Sequence, residues 1–299
     1  MISQSTRHIM MMEPLAFLSN PETMETNTYQ SVNPADTASI NAKAIAEFRA
    51  LRDRLVMAGV IVTTVQGSLR SPDDIFCNNW VSTHGDGSMV LYPMLAPNRR
   101  LERRPELLRF LEGRYRTALD LSAEELEGRF LESTGSLALD RVNKRAYVAL
   151  SPRTDPELAE RWADVMGYEL IFFNTRNHAG KPVYHTDVVM YIGSSMIGIC
   201  ADCILPEDID RVLGKIRETH RPLLLSMDQL RSFCGNALEL RGVQDRRILA
   251  MSARAYDALT PDQKDTIMMY FDGGIVASSI PTIETYGGGS VRCMLLELH

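Results

Sequence analysis

Residues 287–298 read GGGSVRCMLLEL: three glycines, a cysteine at position 293, then a short apolar strand with nothing left behind it to fold back. A helical pattern after Thr260 and Pro261 and an apolar strand at residues 275–278 lead into this stretch. The return strand that should complete the last hairpin must come from elsewhere. Residues 9–14, IMMMEP, form an apolar run with no hairpin partner of their own. Pairing the two ends closes the chain into a ring and leaves neither edge open to other chains.

Working backwards, the same order recurs: an amphipathic helix, a short strand, then a hairpin whose first strand begins with polar residues. The first helix places Ala44, Phe48, Leu51 and Leu55 on one face, and Gly59 stops it before the strand at residues 60–65. Its hairpin runs IFCNNWVST, turns at Gly85, Asp86 and Gly87, and returns as SMVLYP. A second helix starts near Pro105 and leads to FLESTGSLALD, a turn near Asn143, and AYVAL. The third has Asp155 as N-cap, Pro156 at its first position, and Leu158, Trp162, Val165 and Met166 inward, before YHTDVVMYIG. The fourth begins at Pro206 with Ile209, Val212, Leu213 and Ile216 inward, before FCGNALEL and RRILAMS. Equivalent polar positions fall at Asn79, Glu132, His185, Asn236 and Cys293, separated by 53, 53, 51 and 57 residues. Five units of similar length joined head to tail predict a fivefold pseudosymmetric α/β propeller, with residues 1–299 as a single catalytic domain and the strand starts converging on its axis.

Composition fits such a body. Of 299 residues, 45% are hydrophobic and 23% charged, enough to bury a sizeable core. A net charge of -6 gives no basic footprint for nucleic acid or an anionic membrane, and Arg99, Arg100, Arg103 and Arg104 read as a solvated cluster offset by nearby acids. No apolar run approaches the roughly 18 residues needed to cross a bilayer, and the start lacks a secretory pattern, so the cytoplasm is expected. Five cysteines without framework spacing suit a reducing compartment. Cys200 and Cys203 form CxxC without a second pair at zinc spacing, so burial is the reading, with no metal and no cofactor expected. His84 beside a glycine turn reads as exposed, while Met10, Met11, Met12, Met268 and Met269 read as core filling.

In a fivefold ring, Glu132, His185 and Cys293 meet. A ureido or guanidino carbon is a poor electrophile, because nitrogen lone pairs delocalise onto it. Attack needs a strong nucleophile together with groups that move protons on nitrogen. Cysteine, histidine and a carboxylate supply those roles. In a strand, His185 and Asp187 share a face and Thr186 points away. Gly287, Gly288 and Gly289 allow close backbone approach to a substrate, and His185, the loop amides or Arg292 favour the thiolate.

These motifs resemble those of the pentein, or amidinotransferase, superfamily. Its arginine deiminases carry Phe-x-Arg-Asp, Glu-Gly-Gly-Asp, His-x-Asp and Gly-Gly-Gly-Pro-Arg-Cys-Met elements. The counterparts here are Phe76 to Asn79, Glu132 to Gly135, His185 to Asp187, and Gly287 to Met294. The resemblance covers nearly the whole chain. It implies a cysteine hydrolase with Cys293, His185 and Glu132 as catalytic residues and Asn79, Asp187, Asn78 and Arg292 on a small ureido or guanidino substrate. Two positions depart: Asn79 stands where deiminases place an aspartate, and Gly135 replaces an acid. A neutral amide suits a neutral ureido group better than a guanidinium. Together with NPETMETNTYQ and FCGNALEL, this makes the chain similar to the citrulline-utilisation hydrolase branch, whose members are taken to release ornithine, carbon dioxide and ammonia. The alternatives are a deiminase or amidinotransferase acting on arginine or another guanidine, and a non-catalytic ring like the ribosome-binding initiation-factor penteins. Homodimer formation is compatible with the fold.

Overall fold

The structure, a computed structural model, describes residues 3–33 and 36–299. Its fifteen named strands form five three-stranded sheets. Strands β1 (His8–Glu13) and β2 (Ile61–Gln66) are followed by β3 (Val81–Thr83), β4 (Ser88–Leu91) and β5 (Arg116–Asp120). Next come β6 (Ala138–Asp140), β7 (Arg145–Ala149), β8 (Glu169–Phe173), β9 (Met190–Ile192), β10 (Met196–Cys200) and β11 (Arg221–Leu225). The last are β12 (Leu238–Arg241), β13 (Arg247–Ser252), β14 (Gly274–Ser278) and β15 (Leu296–Leu298). Four sheets, β3-β4-β5, β6-β7-β8, β9-β10-β11 and β12-β13-β14, each join an antiparallel hairpin to a parallel third strand. The fifth is β15-β1-β2, in which β15 pairs antiparallel with β1 and β1 parallel with β2. The two chain ends close the ring as the sequence pattern predicts.

Pairing also shows which strand each helix serves. A parallel neighbour can be reached only by a crossover, and a helix provides it. The helix therefore joins the return strand of its own hairpin to the outer strand of that same sheet, as Pro105–Glu112 does between β4 and β5. The expected inward faces are present. Thr37–Met57 buries Ala44, Phe48, Leu51 and Leu55, and Asp155 caps Pro156–Met166 by accepting from the Leu158 amide. Val165 departs from this pattern and is exposed, because Trp162 and Met166 already fill that helix's buried stripe.

First strands of neighbouring sheets pack together, β15 on β3, β6 on β9 and β9 on β12, so the residues just before them gather at the axis. Three expectations are corrected. His84 is buried, with Nε2 at 2.9 Å from the Ser82 hydroxyl, and burial with nearby Arg141 pushes its pKa down to about 3. Met268 and Met269 face outward, because Ile267 is the residue of that helix that reaches the core, whereas Met10, Met11 and Met12 are buried. Arg99, read as solvated, is 2% exposed. Cys200 and Cys203 are both buried, as expected. Among the described residues no helix is long and apolar enough to cross a membrane.

Closure rests on short strands whose side chains are fully enclosed. Leu296 packs with Met10, Met12, Trp80 and Val81, while Leu224 on outer strand β11 is half exposed. Leu296→Ala is expected to cost about 2–5 kcal/mol in urea denaturation, and Leu224→Ala less than about 1 kcal/mol. Equal losses would argue against a ring held at its inner strands.

Candidate active site

The thiol of Cys293 sits in a single helical turn, Arg292–Met294, between the glycine loop and β15. It is 3% exposed. Its sulfur lies 3.2 Å from Asn236 Nδ2 and donates toward Asp187 Oδ2 at 3.5 Å. Burial and the adjacent Asp187 carboxylate push the thiol pKa up, against the Ser290 backbone, Asn236 and Arg292, which favour the anion. Together these influences favour the thiol of Cys293 over its thiolate.

His185 caps another single turn, Thr186–Val189, before β9. The sequence suggested a strand here, but a short helical turn fits the interval between the axis and β9. Alternation therefore does not explain why both His185 and Asp187 reach the site. Thr186 points away as expected, donating to the Ser136 carbonyl at 2.6 Å and accepting from the Ala149 amide at 2.8 Å. His185 Nε2 is 2.7 Å from Glu132 Oε2, and its Nδ1 has no partner. Burial alone would raise the Glu132 carboxyl, but Arg153, His185 and Arg99 outweigh it and hold it far below the usual carboxylate range. Glu132 is thus an anion that orients the imidazole. Ser133, directly after it, has φ +45°, so backbone strain sits beside the site.

Asn79 has a forced orientation. Arg99 Nη1 can only donate, and it lies 2.8 Å from Asn79 Oδ1. The amide must turn its oxygen to Arg99, which leaves Nδ2 a buried donor without a partner. Asn78 Nδ2 donates to Asp187 Oδ2 at 3.1 Å and to Thr134 Oγ1 at 3.3 Å. Asn78 Oδ1 and Asp187 Oδ1 remain unpartnered acceptors. Buried polar groups are normally satisfied, so a knot of unsatisfied atoms at the axis marks a place for a ligand or water.

A small, tight cavity opens beside these groups, lined by Cys293, His185, Asn79, Tyr184, Gly287 and Gly289. Asp73, Arg99, Arg153, Thr23 and Asn27 complete its wall. None of these five stood out in the sequence as a site residue. Arg99 lay in an apparent surface cluster, and Arg153 in a segment between β7 and the following helix. Asp73 Oδ1 is unpartnered, and burial raises its carboxyl against Arg99, Asn20, Arg153 and Thr23. Thr23 and Asn27 bring the segment after β1 into this wall. Asn27 Nδ2 donates to the carbonyls of Gly287 and Gly288 at 3.3 and 3.2 Å, and Arg153 Nη2 donates to Thr26 Oγ1 at 2.8 Å. Gly288 has φ +64°, and a Cβ there would meet Asn27, so the glycine loop needs this residue at this point.

Arg292 is not brought into this cavity. Its guanidinium donates to the Leu295 carbonyl and to Glu297 Oε2, both at 2.9 Å, and it lines a separate small axial cavity together with Asp187. The structure thus places the expected substrate residue Arg292 outside the wall that Cys293 lines, with its fork on internal acceptors. Its charge still acts on Cys293 through space.

The family described as N,N dimethylarginine dimethylhydrolase, eukaryotic, matches residues 13–299. No curated protein matches the sequence. Among solved structures, apo ArgZ, an arginine dihydrolase from the ornithine-ammonia cycle in cyanobacteria, is similar at 16% identity and a TM-score of 0.74, over 97% of this chain and 40% of that one. The complex of an AgrE variant with L-arginine is similar at 16% identity and a TM-score of 0.75, over 98% of this chain and 40% of that one. The chain thus spans 40% of the length of those two proteins. A dimethylarginine dimethylaminohydrolase adduct with S-methyl-L-thiocitrulline gives 17% identity and a TM-score of 0.65 over 100% of both chains. At such identities the likeness carries the fold, which is the pentein propeller.

A buried thiol beside a carboxylate reacts slowly until its proton is removed. Iodoacetamide is expected to label Cys293 at least about tenfold more slowly than glutathione at pH 7.5, with a rate still climbing at pH 10. Peptide mass spectrometry reads this; a rate that levels off near pH 7 would mean a preformed thiolate.

Proposed function

The chain belongs to the N,N dimethylarginine dimethylhydrolase family, hydrolases of amidino carbon-nitrogen bonds, and from that premise we propose that it cleaves the ureido group of citrulline, releasing ornithine, carbon dioxide and ammonia. The observation that carries the ureido reading is the amide of Asn79. Its unpartnered Nδ2 is a donor. A ureido group offers a carbonyl oxygen to it, whereas a guanidinium has only N–H groups and would meet donor with donor. The unpartnered oxygens of Asn78 and Asp187 suit the ureido N–H groups. This reading places the chain in the citrulline-utilisation branch, with residues 1–299 acting as one catalytic propeller.

Three further residues suit the amino-acid end. Arg99 and Arg153 bring positive charge to the cavity for a carboxylate, and the free Oδ1 of Asp73 is an acceptor for an ammonium. The segment after β1 that joins this wall excludes water, which strengthens each of these contacts.

In the reaction, the deprotonated Cys293 sulfur forms a bond to the ureido carbon, and the carbonyl π pair moves onto oxygen, which Asn79 Nδ2 stabilises. Collapse expels one nitrogen, which takes the proton that the thiol gave up to Asp187, relayed through His185 Nδ1, and leaves a thiocarbamate on sulfur. Water then attacks, giving a proton to His185, and the carbon-sulfur bond breaks. The released carbamate separates into carbon dioxide and the second amine, so one water is consumed overall. Glu132 stays ionised throughout and keeps His185 Nε2 engaged, leaving Nδ1 for proton traffic.

AgrE has been captured with L-arginine, so arginine is the substrate to compare. Incubation with each compound should give ornithine and ammonia from citrulline and little product from arginine. Citrulline as a product of arginine would instead identify a deiminase. Cys293→Ala should reduce turnover to background without lowering the melting temperature; a variant that remains active ends the mechanism. Asn79→Asp keeps an acceptor for Arg99 but exchanges the free donor for an anion. It should shift kcat/KM toward arginine by about ten- to a hundredfold, the worth of one charged hydrogen bond. An unchanged ratio would remove Asn79 from substrate selection.

A further inference from the structure

Asn236 occupies the fourth of the five equivalent axial positions, in the turn before β12. Its Nδ2 lies 2.9 Å from the backbone carbonyl of Asp187 and 3.2 Å from Cys293 Sγ. A carbonyl can only accept, so the amide nitrogen must face Asp187. The second hydrogen on that nitrogen is then available to the sulfur. The residue is held in this place from both sides. Gly235 sits directly against the Val188 and Val189 backbone, where a Cβ would collide with the Val188 carbonyl, and the Asn236 backbone N–H donates to the Phe233 carbonyl at 2.9 Å. Asn236 is 0% exposed.

We propose that Asn236 is a catalytic residue, the fixed donor that carries part of the negative charge on the Cys293 sulfur during attack. The sulfur sits between two unlike neighbours. On one side Asn236 donates to it; on the other, its own proton points at Asp187 Oδ2. Moving that proton to Asp187 leaves both S–H bonding electrons on sulfur, and one of its lone pairs then forms the bond to the substrate carbon. Asn236 keeps its hydrogen bond through the change. Such bonds strengthen when the acceptor becomes an anion, so the interaction favours the attacking state over the resting one. The other charged or titratable groups near the sulfur are Arg292, Tyr184 and His185, with Asp73, Arg99 and Arg153 further along the cavity. Among the described residues, Asn236 is the neutral side chain that donates to the sulfur directly. Burial and Asp187 oppose ionisation there, which gives a donor most to do.

This inference rests on Cys293 as nucleophile, and its test reads the sulfur without using a substrate. Iodoacetamide labelling of Cys293 between pH 8 and 10 should slow by about tenfold or more in Asn236→Ala. Asn236→Ser, which keeps a hydroxyl donor, should recover part of the loss. A purely structural role predicts the opposite sign, because removing the side chain opens access to the thiol. Labelling of Asn236→Ala at or above the wild-type rate would overturn the proposal. Should that variant fail to fold in a circular dichroism melt, Asn236→Ser is compared with Asn236→Asp, an isosteric acceptor. Equal labelling of those two would likewise overturn it. In turnover, kcat for citrulline should fall with KM nearly unchanged. If wild-type protein ignores citrulline but labelling still responds to Asn236, the substrate reading fails and this one stands.

Discussion

Antiparallel pairing of β15 with β1 is the constraint on which the site depends. Cys293 lies on the last turn of the chain, and its neighbours Asn79, Glu132, His185 and Asn236 come from four other sheets. None of these residues is near the others in sequence, so no local preference brings them together. What does so is closure. With His8 set against Leu298 and Met10 against Leu296, the last first-strand joins the other four around the axis. The turn before it then delivers the thiol to the same height as the imidazole. Closure also satisfies the backbone of two strands that would otherwise be edges. Stability and chemistry therefore rest on one register.

Within the ring, charge is arranged so that one member of each interacting pair is fixed and the other is left able to react. Glu132 is held as an anion by Arg153 and Arg99 and engages only the far nitrogen of His185. Arg99 also pins the Asn79 oxygen while its Nε and Nη2 hold Glu102 at 2.8 and 3.1 Å. The same guanidinium thus anchors the wall and decides which end of Asn79 the cavity meets. Removing charges from water is expensive unless they are paired, so the pairing explains how two arginines and several acids coexist where almost no surface is exposed. The atoms left without partners are those at which a substrate would supply the missing hydrogen bond.

The fold and the polar ring were legible because both are carried by spacing. Repeated helix and hairpin patterns, glycine turns and five polar residues about 50 positions apart survive in the sequence whatever the tertiary details. Positions decided by three-dimensional context were not legible. Arg99 belongs to a run of basic residues that resembles solvent-facing surface, and only its pairing with Glu102 and Asn79 shows that it is buried. Arg153 sits in a connecting segment and reaches the site by spanning from Glu132 to Thr26. His84 is buried through contacts with Ser82, two residues back along the same strand, and with Arg141 from the next sheet. Single helical turns such as Thr186–Val189 are too short to imprint a period of their own, so the segment read as strand.

The two departures from the deiminase pattern, Asn79 and Gly135, are one feature rather than two. A Cβ at Gly135 would fall 2.5 Å from Asn79 Nδ2 and 2.8 Å from His185 Cε1 and Nδ1. Any side chain there would push apart the donor and the proton-transfer atom that the proposed ureido chemistry uses side by side. An acid at that place would add a charge against Nδ1 and favour a cationic ligand. With glycine, the Asn79 amide keeps the orientation imposed by Arg99 and His185 Nδ1 stays unobstructed. On the proposed ureido reading, charge selection rests on a missing side chain together with a pinned amide. A substitution at Asn79 alone would change only half of the device.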